Sequence, residues 1–445
     1  MRTNGDFKLD SNETSHSTNV AGTSSRTSAW HSRRQLPLYA VITWWGVCFA
    51  SYASGWPIEY GRANFVEVAL MFGATAVLTV IGFQLGLNAR VGGYSKGAAW
   101  WPAIGLVVST VLFFPTVATS SALNLSELGT ALSDQGTAYQ ETSDLFEQGV
   151  AGGAAVFLAS ILFAVFTLTV IPAYAVRAID GDRRAILPLL VGVLPPLTLS
   201  VLTGRDQQFG VVVLLMVASW VIVVARRKSW TVFRASLLAI VVAAVTFLAM
   251  SYRRYQRLDG VDFCNPGQIN CAENSAGFLA QSFRMFASYC SQGFEGLGRA
   301  LDTTWSFGGG LSHSVPLDGL SSRLFAPRSA PTVTEQLDLV GWSASAYWST
   351  ALTQLANDLP WILVPVFVGV WAILLGFTWK LAVTRGDWLT VTIFAYSIYG
   401  FIFVPQNYQL GVTVPMYLGY ILLIALLFYR IMTERSEKTR SRRRV

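Results

Sequence analysis

The histidine content of this chain limits the acid–base chemistry that a folded region can perform. Of its three histidines, His16 and His31 lie in a polar, Ser/Thr-rich N-terminal stretch, which leaves only His313 outside it. A single histidine excludes a multi-histidine site, so we expect no metal centre and no cofactor. His313 can act as a general base or a hydrogen-bond donor near neutral pH, or it can be purely structural.

Three carboxylates are candidates to work with this histidine. Glu295 and Asp302 lie in the run YCSQGFEGLGRALD, and Asp358 lies in QLANDLPW, directly before a long apolar segment. An ionisable residue at the point where a chain enters a membrane is a candidate functional residue by default. We therefore consider Asp358 the strongest of the three.

An arginine in a short turn could hold a phosphate. Arg205 lies in TGRDQQFG, between two apolar runs. A fixed guanidinium suits a phosphate or diphosphate because it can donate two parallel hydrogen bonds. The alternative is a polar turn with an internal pair between Arg205 and Asp206.

Three further arginines cluster in SYRRYQRLDG, at the end of another apolar run. They are Arg253, Arg254 and Arg257. Such a cluster suits an anionic lipid head group. The alternative is that these side chains reach lipid phosphates non-specifically or pair with Asp259 and Asp262.

These residue types suit an enzyme that transfers a group from an activated donor. The chain has no Walker motif, no GxGxxG in a strand–turn–helix context and no paired-carboxylate DxD motif in its first outer loop. A site of arginine, histidine and single carboxylates suits a donor whose leaving group is already good. A diphosphate is such a group, because arginines can neutralise its developing charge.

The elements that must position these residues are membrane helices. The chain of 445 residues is 53% hydrophobic and only 13% charged, about half the charge of a typical soluble domain. Apolar runs long enough to cross a bilayer predict an all-α polytopic membrane protein with ten helices, or up to twelve if the long loop hides more. The ten lie near 37–54, 65–88, 99–119, 150–175, 186–203, 208–225, 231–251, 360–380, 387–404 and 410–430.

The basic residues predict the orientation of these helices. With ten spans, every short basic loop falls on one side, and the opposite loops are acidic or nearly neutral. Because cytoplasmic loops carry the excess of Lys and Arg, this places both termini in the cytoplasm. The same placement explains the net charge of +7 without a nucleic-acid partner. The basic clusters are Arg33–Arg34, Arg90 and Lys96, Arg177 with Arg183–Arg184, Arg226–Lys228, Lys380 with Arg385, and the C-terminal tail.

The resulting organisation has one long extracytoplasmic loop. Within it, Cys264 and Cys271 could close a small disulfide in an oxidising compartment, or they could be unrelated thiols. The predicted parts are a disordered cytoplasmic tail over 1–34, helices one to seven over 35–251, the loop over 252–359, helices eight to ten over 360–430 and a basic cytoplasmic tail over 431–445.

Several segments resemble the bacterial oligosaccharide repeat-unit polymerases, the Wzy-type O-antigen polymerases. The resemblance covers about a third of the chain. Two departures are the insertion that contains Cys264 and Cys271, and Pro360 directly after the Asp358 segment. The segments that carry the resemblance are YCSQGFEGLGRAL followed by FGGGLSHS, then WSTALTQLANDLPW, VPQNYQL and TGRDQQ.

The resemblance implies a metal-independent glycosyltransferase of GT-C-like architecture in the cytoplasmic membrane. Such an enzyme joins undecaprenyl-diphosphate-linked repeat units on the outer face, beside membrane lipid, a flippase and a chain-length regulator. His313 or Asp358 would orient or deprotonate the acceptor hydroxyl. The diphosphate-binding residues would be Arg205, Arg253, Arg254 and Arg284, with Arg257 in the same cluster.

Two other functions remain open at this stage. A ligase-like enzyme, which transfers a finished glycan from a lipid diphosphate to another acceptor, needs the same residue types. A transporter or flippase of lipid-linked sugars belongs to a different class. It predicts charged or broken helices near the centre of the membrane, whereas the predicted helix centres here are almost free of charge apart from Glu67.

Overall fold

A computed structural model of the chain describes the main body of the protein as helical. Within its described residues the only β-type pairing is one isolated bridge between Tyr60 and Gln268. The described residues are 33–89, 100–147, 154–227, 278–314, 330–343 and 347–442, with isolated positions between 237 and 318. The helices are α1 Leu36–Ser54, α2 Phe65–Asn88, α3 Trp101–Ser120, α4 Leu128–Ser133, α5 Gln135–Glu147, α6 Ala154–Ile179, α7 Ile186–Leu202, α8 Gln207–Arg226, α9 Phe278–Ala300, α10 Val333–Gln336, α11 Ala351–Leu355, α12 Leu363–Arg385, α13 Trp388–Ile402 and α14 Val414–Arg442.

Eight of these helices are long and apolar enough to cross a membrane. They are α1, α2, α3, α6, α7, α8, α12 and α14, and α13 is a shorter apolar helix of 15 residues. The predicted fold class, a helical multi-pass membrane protein, is confirmed at this level. The predicted helix over 231–251 lies almost entirely outside the described residues.

Three helices end later than the sequence predicted. α12 ends at Arg385 instead of residue 380, and α14 ends at Arg442 instead of residue 430. α6 runs to Ile179, beyond the predicted end at residue 175. Arg177 lies in this extra turn and forms an ion pair of 2.6 Å with Asp182. A long basic side chain can extend from an apolar helix into water, so the helix continues past the apolar run.

The described helix ends gather at two opposite ends of the bundle. The basic end is where α1 begins and where α2, α6, α8 and α12 end. There Arg33 Nη1 donates to the carbonyl oxygen of Arg227 over 3.1 Å, and Lys380 Nζ donates to that of Ala89 over 3.0 Å. The loop end is the opposite one. There Ser121 Oγ, after α3, donates to the carbonyl oxygen of Leu202 over 3.0 Å.

The tightest helix pair is α2 against α12. A Cβ atom at Gly82 or Gly86 would overlap the carbonyl oxygens of Gly369 or Ile373. In an apolar solvent, helices associate through van der Waals contact between closely approaching backbones, for which glycines four residues apart are well suited. This pair therefore forms a rigid side of the bundle.

The segment between residues 278 and 363 is built on α9, which packs along α1. Phe294 of α9 is fully buried against Phe49, Tyr52 and Phe72. After α9 ends at Ala300, the described residues 301–314 form an irregular stretch, and α10 and α11 precede the start of α12. This irregular stretch carries the candidate site.

Candidate functional site

His313 is hydrogen-bonded at both ring nitrogens. Its Nδ1 atom lies 2.6 Å from Asp358 Oδ2, and its Nε2 atom lies 2.8 Å from the hydroxyl of Tyr417. The three residues come from separate elements: the loop after α9, the turn before α12 and the first turn of α14. A carboxylate, an imidazole and a phenol thus form one continuous chain at the loop end.

The glycine-rich loop fixes the carboxylate of Asp358. Gly310 N–H donates to Oδ1 over 2.8 Å, and the backbone N–H of His313 donates to Oδ2 over 2.7 Å. Gly309 and Gly310 have φ values of 97° and 87°, a region that side chains disfavour. Gly309 and Gly310 therefore allow the backbone to fold around a carboxylate.

The charge state of Asp358 follows from these contacts. Burial acts to raise the pKa of its carboxyl, but the hydrogen bonds from the His313 ring and backbone and from Gly310 outweigh burial, so the pKa lies below its usual value. Asp358 is therefore ionised at neutral pH. An ionised partner fixes the proton on Nδ1 of a neutral imidazole and leaves Nε2 as the hydrogen-bond acceptor.

The neighbouring Asn357 holds the other side of the same loop. Its Nδ2 donates to the carbonyl oxygen of Ser312 over 2.9 Å, and its Oδ1 accepts from Thr334 N–H over 3.0 Å. Its own carbonyl oxygen accepts from Gly308 N–H over 2.6 Å. Two consecutive residues, Asn357 and Asp358, thus fix the backbone from Gly308 to His313.

Aromatic rings surround the imidazole. The ring of Tyr408 meets it edge-on at a centroid distance of 5.7 Å, and the ring of Tyr417 lies at 5.2 Å. The side chain of His313 is 13% exposed, whereas that of Asp358 is 6% exposed. The imidazole is therefore the more exposed of the two groups, and a molecule outside the protein would contact the imidazole before the carboxylate.

Four of the segments named for the resemblance meet around this site. Backbone hydrogen bonds join them in pairs. The pairs are Thr350 N to Gly293 O at 3.2 Å, Ala351 N to Val404 O at 3.0 Å and Gly308 N to Asn357 O at 2.6 Å. Ser314 Oγ also donates over 2.7 Å to the carbonyl oxygen of Gly411, the residue after VPQNYQL.

The fifth segment, TGRDQQ, lies elsewhere at the loop end. Arg205 lies in the hairpin between α7 and α8, where Ser200 Oγ donates to its carbonyl oxygen over 2.6 Å. Burial lowers the pKa of its guanidinium, and the nearby Tyr139 acts in the opposite direction. An arginine remains protonated under these conditions. Arg205 is thus a part-buried cation.

Helix α6 separates Arg205 from His313. Ile161 of α6 packs with Leu317 beside the His313 loop, whereas Phe163 packs with Leu202 beside the Arg205 hairpin. Residues two apart on a helix point about 200° from each other. The two groups therefore flank opposite faces of one helix.

Only one of the remaining predicted site residues lies among the described residues. Arg284 is half-buried on α9. Arg253, Arg254, Arg257, Cys264 and Cys271 lie outside the described residues. Within the part of the chain that the structure describes, no group of three His, Cys, Asp or Glu side chains could hold a metal ion.

The two other acidic candidates have structural partners away from His313. Glu295 is fully buried, pairs with Arg299 Nε at 3.0 Å and accepts from Arg62 N–H at 3.0 Å. Asp302 accepts from Asn64 Nδ2 over 2.7 Å. Both carboxylates fasten α9 to the turn before α2, so Asp358 is the acidic candidate that lies beside the histidine.

Sequence reasoning missed Tyr417. It lies in the first turn of the last apolar helix, seven residues after the end of VPQNYQL. A tyrosine there is typical of the aromatic belt at a membrane surface. The available signal was its position beside a segment already named for the resemblance. Only the fold brings its hydroxyl to His313.

The fold and the site together define a helical multi-pass membrane protein with a carboxylate–imidazole–phenol chain at its loop end. Comparison with protein-family models, with curated proteins and with solved structures finds no match. The function is therefore argued from the geometry and from the sequence resemblance.

Proposed function

We propose that this protein is a glycosyltransferase that polymerises lipid-diphosphate-linked oligosaccharide repeat units, with Asp358, His313 and Tyr417 as its acid–base chain. The observation that carries this proposal is the hydrogen-bonding of His313 to Asp358 on one nitrogen and to Tyr417 on the other. A base oriented by a buried carboxylate is the arrangement that proton transfer from a hydroxyl requires.

In the proposed reaction, an acceptor sugar hydroxyl attacks the anomeric carbon of the donor. A C–O bond forms to the acceptor oxygen while the bond to the diphosphate oxygen breaks, and the leaving group departs as lipid diphosphate. The acceptor proton passes to Nε2 of His313, directly or through the Tyr417 hydroxyl. Asp358 stabilises the imidazolium that results.

The arginines provide the positive charge that the departing diphosphate needs. We assign this role to Arg284 on α9 and to Arg253, Arg254 and Arg257. A guanidinium holds a phosphate with two parallel hydrogen bonds and remains charged throughout. No metal ion is needed for a leaving group stabilised in this way.

The position of Arg205 is suitable for binding the second substrate of a polymerase, the acceptor. A polymerase binds two lipid diphosphates, and in the acceptor the reacting hydroxyl lies a whole repeat unit away from its own diphosphate. Arg205 is part-buried at the loop end but separated from His313 by α6. We therefore assign Arg205 to the diphosphate of the acceptor, which does not react.

The proposed location follows from the charge at the two ends. The basic end would face the cytoplasm, as the distribution of Lys and Arg favours, and the site would face outward. The enzyme would then have GT-C-like architecture in the cytoplasmic membrane and would depend on a flippase for substrate and on a chain-length regulator.

The test is a reconstituted transfer assay. The full-length protein in nanodiscs is supplied with lipid-linked oligosaccharides extracted from the cells that produce it, and glycan length and released lipid diphosphate are measured. We expect longer glycans and stoichiometric lipid diphosphate from the wild type. His313→Gln should reduce both by about 10²- to 10⁴-fold, the usual contribution of a general base.

The outcomes distinguish the related functions. Glycan extension identifies a polymerase, whereas a single linkage to a different acceptor identifies a ligase. A His313→Gln protein that folds, inserts and retains the wild-type rate would overturn the role of the acid–base chain. Asn64→Ala, which removes hydrogen bonds to Gly298 of α9 and to Asp302 away from His313, is the control.

One observation favours a second candidate, proton-coupled transport of a lipid-linked sugar. Tyr417 lies one turn from Tyr420, whose hydroxyl is 2.6 Å from Ser397 Oγ and 2.9 Å from Trp371 Nε1 inside the bundle. Asp and His are the residue types of proton relays in pumps and transporters, and these hydroxyls would continue a relay from Asp358 and His313 into the bundle. Uptake of lipid-linked sugar into vesicles that depends on a pH gradient, without release of lipid diphosphate, would establish this function instead.

A further inference from the structure

Two amide side chains near His313 have hydrogen-bonding groups that the fold does not use. Asn407 lies in the turn between α13 and α14, and Gln354 lies in the short helix α11. The backbone N–H of Tyr408, the residue after Asn407, donates to Oε1 of Gln354. This hydrogen bond brings two distant parts of the chain together at the loop end.

Tyr408 also connects these two residues to the imidazole. Its ring meets that of His313 edge-on at a centroid distance of 5.7 Å. The same turn is joined to the His313 loop by Ser314 Oγ, which donates to the carbonyl oxygen of Gly411 over 2.7 Å. Both amide residues are therefore direct neighbours of a residue that contacts the imidazole.

The side-chain amide of Asn407 is buried without a partner among the described residues. Asn407 is only 6% exposed, and its Oδ1 atom is buried and accepts no hydrogen bond. Its Nδ2 atom donates to no described residue either. A carboxamide can form several hydrogen bonds, and burying one without any destabilises the folded protein. Stability therefore does not explain why an amide occupies this position.

The side chain of Gln354 is fixed by its oxygen and presents its nitrogen. Because Oε1 accepts the N–H of Tyr408, the carboxamide is held at one end. The Nε2 atom carries two N–H donors, which find no acceptor among the described residues. The side chain is half-buried, so it is partly accessible from outside. Gln354 is thus an oriented donor beside the imidazole.

Other amides in this part of the molecule are used by the protein itself. Gln336 Nε2 donates to the carbonyl oxygens of Thr304 and Pro331 over 2.8 Å and 2.9 Å. Asn357 is hydrogen-bonded at both its oxygen and its nitrogen. The two amides beside Tyr408 differ because their hydrogen-bonding groups remain available to a ligand.

We propose that Gln354 and Asn407 bind hydroxyl groups of the acceptor sugar. A carboxamide supplies both donors and an acceptor, so it matches a sugar hydroxyl, which can also donate and accept. A few polar groups placed in this way fix the orientation of a ligand. The two amides would hold the sugar ring so that its reacting hydroxyl lies at Nε2 of His313. This inference rests on the proposed transfer reaction, which places the acceptor at the imidazole.

The experiment measures binding of the sugar part alone, so it does not depend on transfer. The oligosaccharide is released from its lipid diphosphate by mild acid and titrated into the full-length protein in nanodiscs, with binding followed by calorimetry. The lipid diphosphate without sugar is titrated separately. We expect the wild type to bind both.

Two substitutions test the amides. Asn407→Leu and Gln354→Met keep the approximate size of the side chain and remove its hydrogen-bonding groups. Each should weaken binding of the oligosaccharide about fivefold, the usual effect of losing a hydrogen bond between neutral groups. Neither should change the affinity for the lipid diphosphate.

Thermal unfolding separates a binding residue from a structural one. Asn407→Leu removes a buried amide that has no partner, so it should not lower the unfolding temperature. Gln336→Ala is the matched control, because it removes an amide whose partners lie within the protein. It should lower the unfolding temperature and leave the affinity for the oligosaccharide unchanged.

The outcomes separate this inference from the proposed reaction. If the wild type binds no oligosaccharide, or if both variants bind it as tightly as the wild type, the assignment to a sugar is overturned. Weaker binding of the lipid diphosphate by the variants would show that the amides contact phosphate, and it would overturn the assignment too. Amide-dependent binding of the oligosaccharide by a protein that transfers nothing would support the sugar contacts and overturn the polymerase function.

Discussion

The imidazole Nδ1 of His313 and the carboxylate Oδ2 of Asp358 are 45 residues apart in the chain and lie 2.6 Å apart in the structure. The same carboxylate oxygen also accepts the backbone N–H of His313 over 2.7 Å. Asp358 therefore fixes both the ring and the main chain of its partner. Sequence analysis treated the two residues as alternative bases, whereas the geometry makes them one unit in which the histidine can transfer a proton and the carboxylate orients it.

A double-mutant cycle should show that these two residues act together. Asp358→Asn removes the charge that fixes the imidazole, so we predict a loss of transfer rate nearly as large as that of His313→Gln. The double variant should be little worse than either single one, because groups that act as a unit are strongly non-additive. Additive losses in the transfer assay would contradict this prediction.

The hydroxyl of Tyr417 should be needed for the rate of glycan transfer but not for folding. Tyr417→Phe removes only the hydroxyl at 2.8 Å from Nε2, and we predict at least a tenfold loss of rate, at the lower end of what proton-transfer groups contribute. Tyr420→Phe is the matched control, since it removes a hydroxyl one turn away that contacts Trp371 and Ser397. Equal rates for the two variants would exclude a role for Tyr417 in proton transfer.

Asp358 should contribute stability that disappears in acid. Its pKa is lowered in the folded protein, so the unfolded chain takes up this proton first. The contribution is then present above the ordinary carboxyl pKa of about 3.9 and is lost as the pH falls through the lower value of the folded state. We predict that the unfolding temperatures of wild type and Asp358→Asn differ at pH 7 and converge below about pH 4. A difference that stays constant over this range would contradict the prediction.

The contact between α2 and α12 should tolerate no added methyl group. A Cβ atom at Gly86 would overlap the carbonyl oxygen of Ile373, whereas one at Gly73 of the same helix would meet nothing within 4 Å. We predict that Gly86→Ala lowers the free energy of unfolding by about 1–3 kcal/mol, the usual effect of overpacking. Gly73→Ala should cause no loss, because alanine favours helices over glycine. Thermal unfolding in detergent checks both.

The buried ion pair of Glu295 and Arg299 should stabilise the folded protein around α9. Glu295 is 1% exposed, so Glu295→Gln leaves a part-buried guanidinium without its counter-charge. We predict a loss of about 3 kcal/mol in the free energy of unfolding. Arg177→Gln breaks a pair whose arginine is 52% exposed and should cost less than about 1 kcal/mol. Similar unfolding temperatures for the two variants would contradict the predicted difference between the buried and the exposed ion pair.

The membrane helices could be predicted because their signal is local. An apolar run of about twenty residues has few alternatives to a helix that crosses a bilayer, since every backbone polar group must be satisfied within it. The predicted boundaries of α1 and α2 agree with the structure within a residue. The end of α6 did not, because Arg177 extends into water from a helix that the apolar run alone would have ended.

The candidate site could be predicted only as separate parts. The scarcity of histidine identified His313. Asp358 was identified because it lies directly before an apolar run. Neither signal reports a distance between the two residues. Glu295, which was also a candidate, forms an ion pair with Arg299 in the structure instead. Tyr417 was hidden because a tyrosine at a helix start has an ordinary interfacial explanation.

The sequence by itself determined the class of fold and the two residue types that could transfer a proton. Only the tertiary structure decided that His313, Asp358 and Tyr417 belong to one hydrogen-bonded chain and that Arg205 lies across α6 from it. Hydrophobicity and backbone preference are properties of short segments, so they can be read along the chain. The meeting of side chains from a loop, a turn and a helix start depends on how those segments pack, which no short segment encodes.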